Sequence, residues 1–459
     1  MNKKTSSLEV IKEIQGKIHN LPDGPFWITD IVRDKKYTFP VTLYVGDGRH
    51  IHINPDISGL ISSLSKTVLL QYFNQHRTDF TDKDWEDMTR RAFGEALVNP
   101  DEDTVPDKDP KEILSGMRSR LKGWIGEIRE REYAFGFDFC NVESLDPLDI
   151  GPVTIEPRNT WLNKAYDRGY ISEEAFLRVQ MAWKGEILRE REYSDDEMRE
   201  QEILRTVGDS LFVCSVRVGK SGSESGRKKA LTAAHIAMTV ISLSWITPSY
   251  AMNDSGLAYD RPAYRQSYLV LFPENNFGWS ISWSNFRNGI AGLSPKEWEE
   301  LLIELKTRFS CAGEVITYLI NGPDSVIRPE VMSMLYQALL WFHEGCREEE
   351  PAMAIVKFCA VLEALSCGRN KKGILSLANA RLTITNRRLF GKRLGDIYKE
   401  GRSRTIHGTS KKLRQDLGAD CRFMEDLCRK CLLSCLEYAT DNPNLGNTDL
   451  FMEGSPNQN

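Results

Sequence analysis

Residues 397–408 read Ile-Tyr-Lys-Glu-Gly-Arg-Ser-Arg-Thr-Ile-His-Gly and set an arginine five positions ahead of a histidine inside a predicted helix. Among the seven histidines of the chain, only His407 has an arginine upstream with four to six residues between them, and that arginine is Arg402. A guanidinium can clamp a phosphate, and an imidazole can move a proton near neutral pH. The stretch therefore predicts a site for phosphate chemistry on a helix near the C-terminus.

The spacing of the two residues places a condition on that helix. Five residues of a regular helix turn through about 500°, so the two side chains would lie roughly 140° apart. Gly401, or a helix end at Gly408, can supply the distortion that a shared phosphate requires. Alternatively, two copies of the chain can bring the residues together across a dimer. The plain interpretation is a surface arginine and a helix-terminal histidine with no common target.

Helical periodicity surrounds this stretch on both sides. Pro329 stands where a first helical residue would, and apolar residues follow it at helical spacing as far as Phe342. Further helices are predicted at 351–366, 373–384, 389–407 and 416–439, and no strand pattern occurs among them. The sequence therefore predicts an all-helical domain over residues 328–441.

The rest of the chain mixes strands with helices. Residues 1–165 contain five predicted strands and three predicted helices, and residues 166–327 contain a second mixed set. Residues 442–459 are rich in Asn, Pro and Gly, which is typical of a disordered tail. The predicted fold class is multi-domain: an α+β N-terminal module (1–165), a mixed α/β middle module (166–327), the all-α bundle (328–441) and the tail (442–459).

Composition is that of an ordinary globular protein. The 459 residues are 41% hydrophobic and 27% charged, with a net charge of −5. This charge argues against a polybasic coat for nucleic acid or membrane, although a local basic patch can still bind a phosphate backbone. Ten cysteines without a framework spacing, and an N-terminus that does not resemble a secretory signal, predict a cytoplasmic protein without disulfides.

One apolar segment tests that prediction. Residues 230–252 contain no Asp, Glu, Lys or Arg and follow Arg227, Lys228 and Lys229, which is the outline of a membrane-spanning helix. The segment also contains His235 and Pro248, and only its first half keeps a helical pattern. A buried core helix is the favoured interpretation, and no membrane partner is predicted.

Glu363 is the second unusual residue of the helical domain. It is the single charge in the apolar run Phe358–Leu365 and lies at the edge of the predicted core face. If it is buried, it needs a cationic or hydrogen-bonding partner, and Arg402 is the natural candidate. A rim carboxylate that reaches water is the alternative.

The two helices together match a known pattern. A helix with Leu-Glu-Ala-Leu, followed by a helix with Ile-Tyr-x-x-x-Arg-Ser-x-x-x-His-Gly, resembles the HEPN superfamily and especially its Apea-like branch of bacterial proteins. The resemblance covers roughly residues 328–440. In that family an arginine followed after four to six residues by a histidine marks metal-independent endoribonucleases that act as dimers, many of them in toxin, abortive-infection and phage-defence systems.

The resemblance implies roles for particular residues. Arg402 and His407 fall on the catalytic motif, Ser403 on its polar second position, and Glu363 on the acidic position of the earlier helix. The implied function is RNA cleavage through the ribose 2′-OH without metal or other cofactor. The implied active form is a homodimer formed by the helical domain, and a phage-derived trigger would switch its nuclease activity on. Arg404, Lys411 and Lys412 are candidate contacts to the RNA backbone, although a solvated charged loop is the plainer interpretation.

Two other motifs and one rival function remain. The strand-to-helix loop Gly219–Arg227 invites comparison with a phosphate-binding loop but lacks its spacing, so a flexible turn is favoured. Cys421, Cys428, Cys431 and Cys435 share one helical stripe, which predicts a packed core or dimer seam rather than a metal site.

The rival function is a catalytically silent dimerisation or RNA-binding module with a ligand-sensing N-terminal region.

Overall fold

A computed structural model describes residues 6–21, 41–46, 49–98, 107–260, 267–271, 277–281, 293–409, 416–446 and 451–453. These residues are mostly helical, with three small sheets. The chain divides into two compact units. The N-terminal unit comprises Met1–Arg131 and Gly219–Lys228, and the C-terminal unit comprises Glu132–Val218 and Lys229–Asn459.

The N-terminal unit contains four described helices and one strand pair. The helices are α1 (Ser7–His19), α2 (Pro55–Tyr72), α3 (Asp82–Leu97) and α4 (Pro110–Glu127), and the antiparallel strands are β1 (Val41–Gly46) and β2 (Arg49–Ile53). Polar caps explain where the helices begin: Ser6 and Thr81 form capping boxes, and Asn54 and Asp109 precede a proline at the first helical position. The predicted strand Phe26–Val32 and the turn at Asp47–Gly48 lie outside the described residues.

The C-terminal unit begins with a five-stranded sheet. Its strands are β3 (Arg131–Asp138), β4 (Leu148–Ile150), β5 (Val153–Pro157), β6 (Phe212–Val218) and β7 (Gly256–Leu257), in the order β4-β5-β6-β3-β7. Strands β4, β5 and β6 pair antiparallel, as do β3 and β7. The predicted single strand Ile150–Ile155 is instead a hairpin, because the chain turns between β4 and β5. A separate antiparallel pair is formed by β8 (Ser267–Leu271) and β9 (Phe277–Ile281).

Helices make up the rest of this unit. Helices α5 (Arg158–Asp167), α6 (Glu173–Trp183) and α7 (Asp195–Val207) separate β5 from β6, and α8 (Ser223–Ser242) and α9 (Pro248–Asp254) follow β6. The later helices are α10 (Pro295–Asn321), α11 (Pro329–Cys346), α12 (Pro351–Leu365), α13 (Asn370–Arg381) and α14 (Arg387–Ile397). A π-helical turn (Tyr398–Ser403), the short α15 (Arg404–Ile406) and the long α16 (Gly418–Asp441) complete the chain order. Helices α10, α11, α12 and α16 pack together.

The predicted boundaries between modules differ from those of the structure. One continuous core runs from the sheet to the last helix, so the middle module and the helical domain are not separated at residue 328. Phe139, directly after β3, packs its ring 4.9 Å from that of Trp298 in α10. Apolar faces of sheet and helices that bury one another form one domain, because neither can be exposed to water without cost. The first boundary falls at residue 131 rather than 165.

The predicted disordered tail is partly ordered. Phe451 is fully buried and Leu445 is 4% exposed, both in the core of the C-terminal unit. The Nε of Arg381 donates a hydrogen bond to the Phe451 carbonyl at 2.7 Å, and its guanidinium lies 3.6 Å above the Tyr438 ring. The prediction of disorder is therefore wrong for residues 442–446 and 451–453, because two apolar side chains in a polar segment are enough to anchor it.

The apolar segment 230–252 lies in α8 as far as Ser242 and reaches α9 at Pro248. Its alanines and Ile236, Met238, Val240 and Ile241 are buried in the core, as the core-helix interpretation predicts. In the described ranges, no helix taken singly has the length and apolar character needed to cross a membrane. Helices α12 and α13 meet the criterion only as a pair bent by 69°.

Arg328 ties together three parts of the helical bundle. It is 6% exposed, pairs with Glu314 of α10 at 2.7 Å, and donates hydrogen bonds to the carbonyls of Ala439 and Asn442 at the end of α16. We expect Arg328→Ala to lower the free energy of unfolding by about 3 kcal/mol, because it leaves Glu314 and two carbonyls without their partner. Chemical denaturation measures this loss.

The matched control for Arg328 is Arg205→Ala. Arg205 and Glu202 form an ion pair in which both side chains are more than half exposed. Exposed pairs contribute little, so the change should cost less than about 1 kcal/mol. Equal losses in the two variants would contradict a structural role for the buried arginine.

Candidate active site

The segment that carries Arg402 and His407 is not a regular helix. Helix α14 passes into a π turn over Tyr398–Ser403, in which the Arg404 N–H bonds to the Lys399 carbonyl, and α15 follows. The continuous helix predicted over residues 389–407 is therefore interrupted at the motif. A π turn closes its hydrogen bonds over five residues instead of four, so the angular separation expected for a regular helix does not apply here.

A glycine allows this turn to pack closely against α12. Gly401 is buried, and a Cβ at its position would lie 2.8 Å from Cγ2 of Ile355, which is itself fully buried. The distance is shorter than any ordinary carbon–carbon contact, so a side chain would push the π turn away from α12. Gly401 thus fixes how near the motif approaches the helix that carries Glu363.

Glu363 holds Arg402 in place. The Arg402 Nη2 donates to Oε2 of Glu363 at 2.8 Å, and the two side chains are 28% and 16% exposed. The partner predicted for Glu363 from the sequence is therefore confirmed. A guanidinium has five N–H donors, so one bond to Glu363 positions the group and leaves other donors for a ligand.

Tyr398 is the third member of this cluster. Its hydroxyl donates a short hydrogen bond to Oε1 of Glu363, and its ring lies 5.4 Å from the Arg402 guanidinium carbon. Both oxygens of Glu363 are thus used, one by each residue. No role was predicted for Tyr398 from the sequence. The signal that could have identified it is its position four residues before Arg402, which places both side chains on one face of a helix.

The electrostatics of the cluster keep its arginine charged. Burial works to lower the pKa of Arg402, but its hydrogen bond and ion pair with Glu363 outweigh burial, and the pKa is raised. Burial, followed by the hydrogen bond and the charge of Glu363, raises the pKa of the Tyr398 hydroxyl. At neutral pH the cluster therefore presents a permanent cation beside a neutral phenol.

His407 ends the helical segment and is exposed. Gly408 has a φ of +65°, its N–H bonds to the Thr405 carbonyl at 3.1 Å, and the Thr409 N–H bonds to the Arg404 carbonyl at 2.8 Å. These two bonds define a Schellman end. The left-handed helix end predicted at Gly408 is confirmed, and the imidazole stands at the tip of the segment where a ligand can reach it.

The other predicted site residues fall in different surroundings. Ser403 is half-buried, and its carbonyl accepts the N–H of His407 at 3.2 Å. Arg404 pairs with Glu400 one turn earlier at 2.7 Å, so part of its charge is neutralised within the segment. Lys411 and Lys412 lie outside the described residues.

A cleft of about 650 Å³ begins at Glu363 and runs between α11 and α12. Its walls include Ser333, Gln337 and Trp341 of α11, and Cys367 and Gly368 after α12. Trp341 is 43% exposed, which is unusual for a large aromatic side chain in a helix. Trp341 was assigned no role from the sequence, because a tryptophan at helical spacing normally indicates core.

The cysteine stripe of α16 is core. Cys428, Cys431 and Cys435 are fully buried, and burial raises the pKa of the Cys435 thiol to about 12. Cys421 at the start of the stripe is partly exposed. Across the ranges that the structure describes, no three His, Cys, Asp or Glu side chains gather in a way that could hold a metal ion.

No protein-family model, no curated protein and no solved structure matches this chain significantly.

Gly401→Ala tests the close approach of the π turn to α12. We expect it to lower the free energy of unfolding by about 1–3 kcal/mol, because the added methyl overlaps Cγ2 of Ile355. Ile355→Ala alone should also destabilise, since it leaves a cavity. In the double variant the methyl added at residue 401 enters space that the shortened Ile355 side chain has left, so the combined loss measured by denaturation should be smaller than the sum. Strict additivity would contradict the contact.

Proposed function

We propose that the chain is a metal-independent endoribonuclease of the HEPN type, with Arg402 and His407 at its active site. The main support is the cluster in which Glu363 and Tyr398 hold the Arg402 guanidinium, while His407 stands exposed at the end of the same distorted segment. A fixed cation with spare donors suits a phosphate, and an accessible imidazole suits proton transfer. Together they suit cleavage of RNA through its own 2′-OH.

The proposed reaction is an internal transesterification. The ribose 2′-oxygen attacks the adjacent phosphorus, the O2′–P bond forms, and the P–O5′ bond breaks. His407 takes the 2′ proton as the base, while Arg402 stabilises the extra negative charge on the phosphoryl oxygens. The leaving 5′-oxygen receives a proton from a second acid, and His407 of a second copy in a homodimer fills that role. The products are a 2′,3′-cyclic phosphate and a 5′-hydroxyl.

The cleft beside Glu363 provides a place for an unpaired base. An exposed tryptophan offers a stacking face, and the side chains of Gln337 and Ser333 offer hydrogen-bond groups to a base edge. In this proposal the RNA runs from the cleft across Arg402 to His407. The substrate is accordingly single-stranded at the cleavage site.

The proposed biological role is defence. RNA cleavage by this site would arrest growth when a phage-derived trigger is present, and the N-terminal unit would carry the control that keeps the nuclease silent until then. An active toxin of this kind slows growth when it is overproduced, and His407→Ala removes the effect. Growth curves of cells that overproduce each form test the role.

A silent binding module is the second candidate, and one observation favours it. Glu363 already neutralises the charge of Arg402, as in an ordinary structural ion pair. A binding module would retain RNA affinity and cleave nothing. His407→Ala would then leave both growth and RNA integrity as they are in the wild type.

The experiment that separates the two candidates uses purified full-length protein and total RNA in EDTA. The wild type is compared with Arg402→Ala and His407→Ala, and with His19→Ala as a control, because His19 is also exposed in the last turn of a helix. The proposal predicts cutting by the wild type and His19→Ala only. Intact RNA with every form, before and after addition of lysate from phage-infected cells, would count against it.

A further inference from the structure

The N-terminal unit contains a second cavity, which has no part in the proposed nuclease site. It measures about 800 Å³ and lies between the end of α2, the turn that follows it, and α4. Lys220 stands at its rim on the loop before α8. The Gly222 N–H donates to the Asp79 carbonyl at 2.9 Å, which fastens this loop to the turn after α2.

The cavity has an excess of positive charge. Arg118, Lys122 and Lys220 line it, all three are exposed, and none is paired with a carboxylate in the part of the chain that the structure describes. The acidic group among the described lining residues is Asp79, and it is held by His76 at 3.0 Å. Unpaired cations around one concave surface attract an anionic ligand.

One face of α4 supplies most of the polar groups. Ser115, Arg118, Ser119 and Lys122 all line the cavity and follow one another at steps of three, one and three residues. These steps place the four side chains in a single stripe on the helix. The stripe alternates small hydroxyl groups with cations, which is the set of donors that phosphate oxygens accept.

The opposite wall of the cavity is aromatic. Tyr72, Phe73 and Phe80 line it, and Phe73 and Phe80 are each 7% exposed. The Arg118 guanidinium carbon lies 4.1 Å from the centre of the Tyr72 ring. A planar cation held on an aromatic ring presents its free face to a flat ligand and its N–H groups to an anion.

The neighbouring helix N-terminus does not provide the anion site. The Asp84 carboxylate accepts the N–H groups of Glu224 and Ser225 at 2.8 and 2.9 Å, so the first turn of α8 is already capped by an internal anion. A Cβ on Gly222 would lie 2.5 Å from the Asp84 carboxyl carbon, so the loop is closed tightly over that group. The comparison of Gly219–Arg227 with a phosphate-binding loop therefore does not hold. A phosphate would bind at the cations of the cavity instead.

We propose that this cavity binds a nucleotide. The serines and Lys122 of the stripe and Lys220 contact the phosphates, and the base lies on the free face of the Arg118 guanidinium, which is itself held on Tyr72. The volume suits a small ligand rather than a folded macromolecule. This proposal assigns a nucleotide ligand to the N-terminal unit, and it does not depend on whether the C-terminal unit cleaves RNA.

Isothermal titration calorimetry of the full chain tests this site with ATP, GTP, CTP and UTP as probes. We expect at least one of them to bind one-to-one with a dissociation constant well below about 1 mM. Adenosine and tripolyphosphate, which carry only half of the recognised chemistry, should each bind at least about tenfold more weakly. Lys122→Ala and Lys220→Ala should each weaken nucleotide binding by about tenfold or more.

Lys66→Ala is the matched control, because Lys66 is an exposed helical lysine of the same unit that does not line the cavity. It should leave nucleotide affinity unchanged. The proposal is overturned if none of the four nucleotides binds up to about 1 mM, or if the two cavity variants bind as the control does. It is also overturned if tripolyphosphate binds as tightly as the nucleotides, or if the cavity variants weaken only the binding of a single-stranded RNA.

Discussion

His407→Ala is expected to lower the rate of RNA cleavage by about 10²- to 10⁴-fold, the usual contribution of a positioned proton-transfer group. The imidazole is exposed at a Schellman helix end, so its removal leaves the packing of the bundle unchanged. The loss should therefore appear in the rate of the chemical step and not in stability. Single-turnover cleavage of a labelled RNA, measured beside thermal unfolding, separates the two effects.

His19→Ala is the control for this change. His19 is a second exposed histidine in a last helical turn, and its Nδ1 lies 2.8 Å from the carbonyl of Gln15. Its removal should leave the cleavage rate within about twofold of the wild type, because it takes no part in proton transfer. Wild-type cleavage by His407→Ala would contradict the assignment of the proton-transfer role.

Arg402→Ala is expected to lower cleavage by about 10²- to 10³-fold, because in the proposed reaction its donors stabilise the developing charge on the phosphate. Arg402→Lys should recover little of this loss. A lysine ammonium is a point charge and cannot keep a bond to Glu363 while it presents further donors in a fixed plane. Cleavage rates of the two variants at saturating RNA measure the effect.

Glu363→Gln tests whether Glu363 acts by positioning the Arg402 guanidinium. The amide keeps the size of the carboxylate, but it can no longer accept hydrogen bonds at both oxygens from Tyr398 and Arg402. We expect a smaller loss of cleavage than for Arg402→Ala, and almost no further loss when the two changes are combined, since both act through the same guanidinium. Fully additive losses in rate would show that Glu363 acts elsewhere.

The ion pair at this site could be predicted from the sequence. A lone carboxylate in the apolar run around Glu363 requires a partner, and the arginine of the motif was the natural one. The glycine after His407 likewise indicated a left-handed helix end, which the φ of +65° at Gly408 confirms. Both predictions rest on local chemistry that holds whatever the rest of the fold does.

A distortion at Gly401 was expected from the sequence, but its form as a π turn and the extent of the core could not be predicted in this way. The π turn at Tyr398–Ser403 brings Gly401 close to Ile355, and such a tertiary contact leaves no periodic signal in the sequence. The continuation of the core across residue 328 could not be predicted for a similar reason. Whether two sets of apolar faces bury each other, as Phe139 and Trp298 do, is decided by packing across long sequence separations.

Cleavage of one RNA in two forms tests the proposed nuclease mechanism most directly. The site at which wild-type protein cuts a defined RNA in EDTA is mapped first, and the same RNA is then made with a 2′-O-methyl group on the nucleotide 5′ to the cut. The proposed mechanism predicts that wild-type protein cleaves the unmodified RNA to a 2′,3′-cyclic phosphate and leaves the methylated site intact, and that His407→Ala does not make the cut. Cleavage at the methylated site, or equal cleavage by His407→Ala, would contradict it.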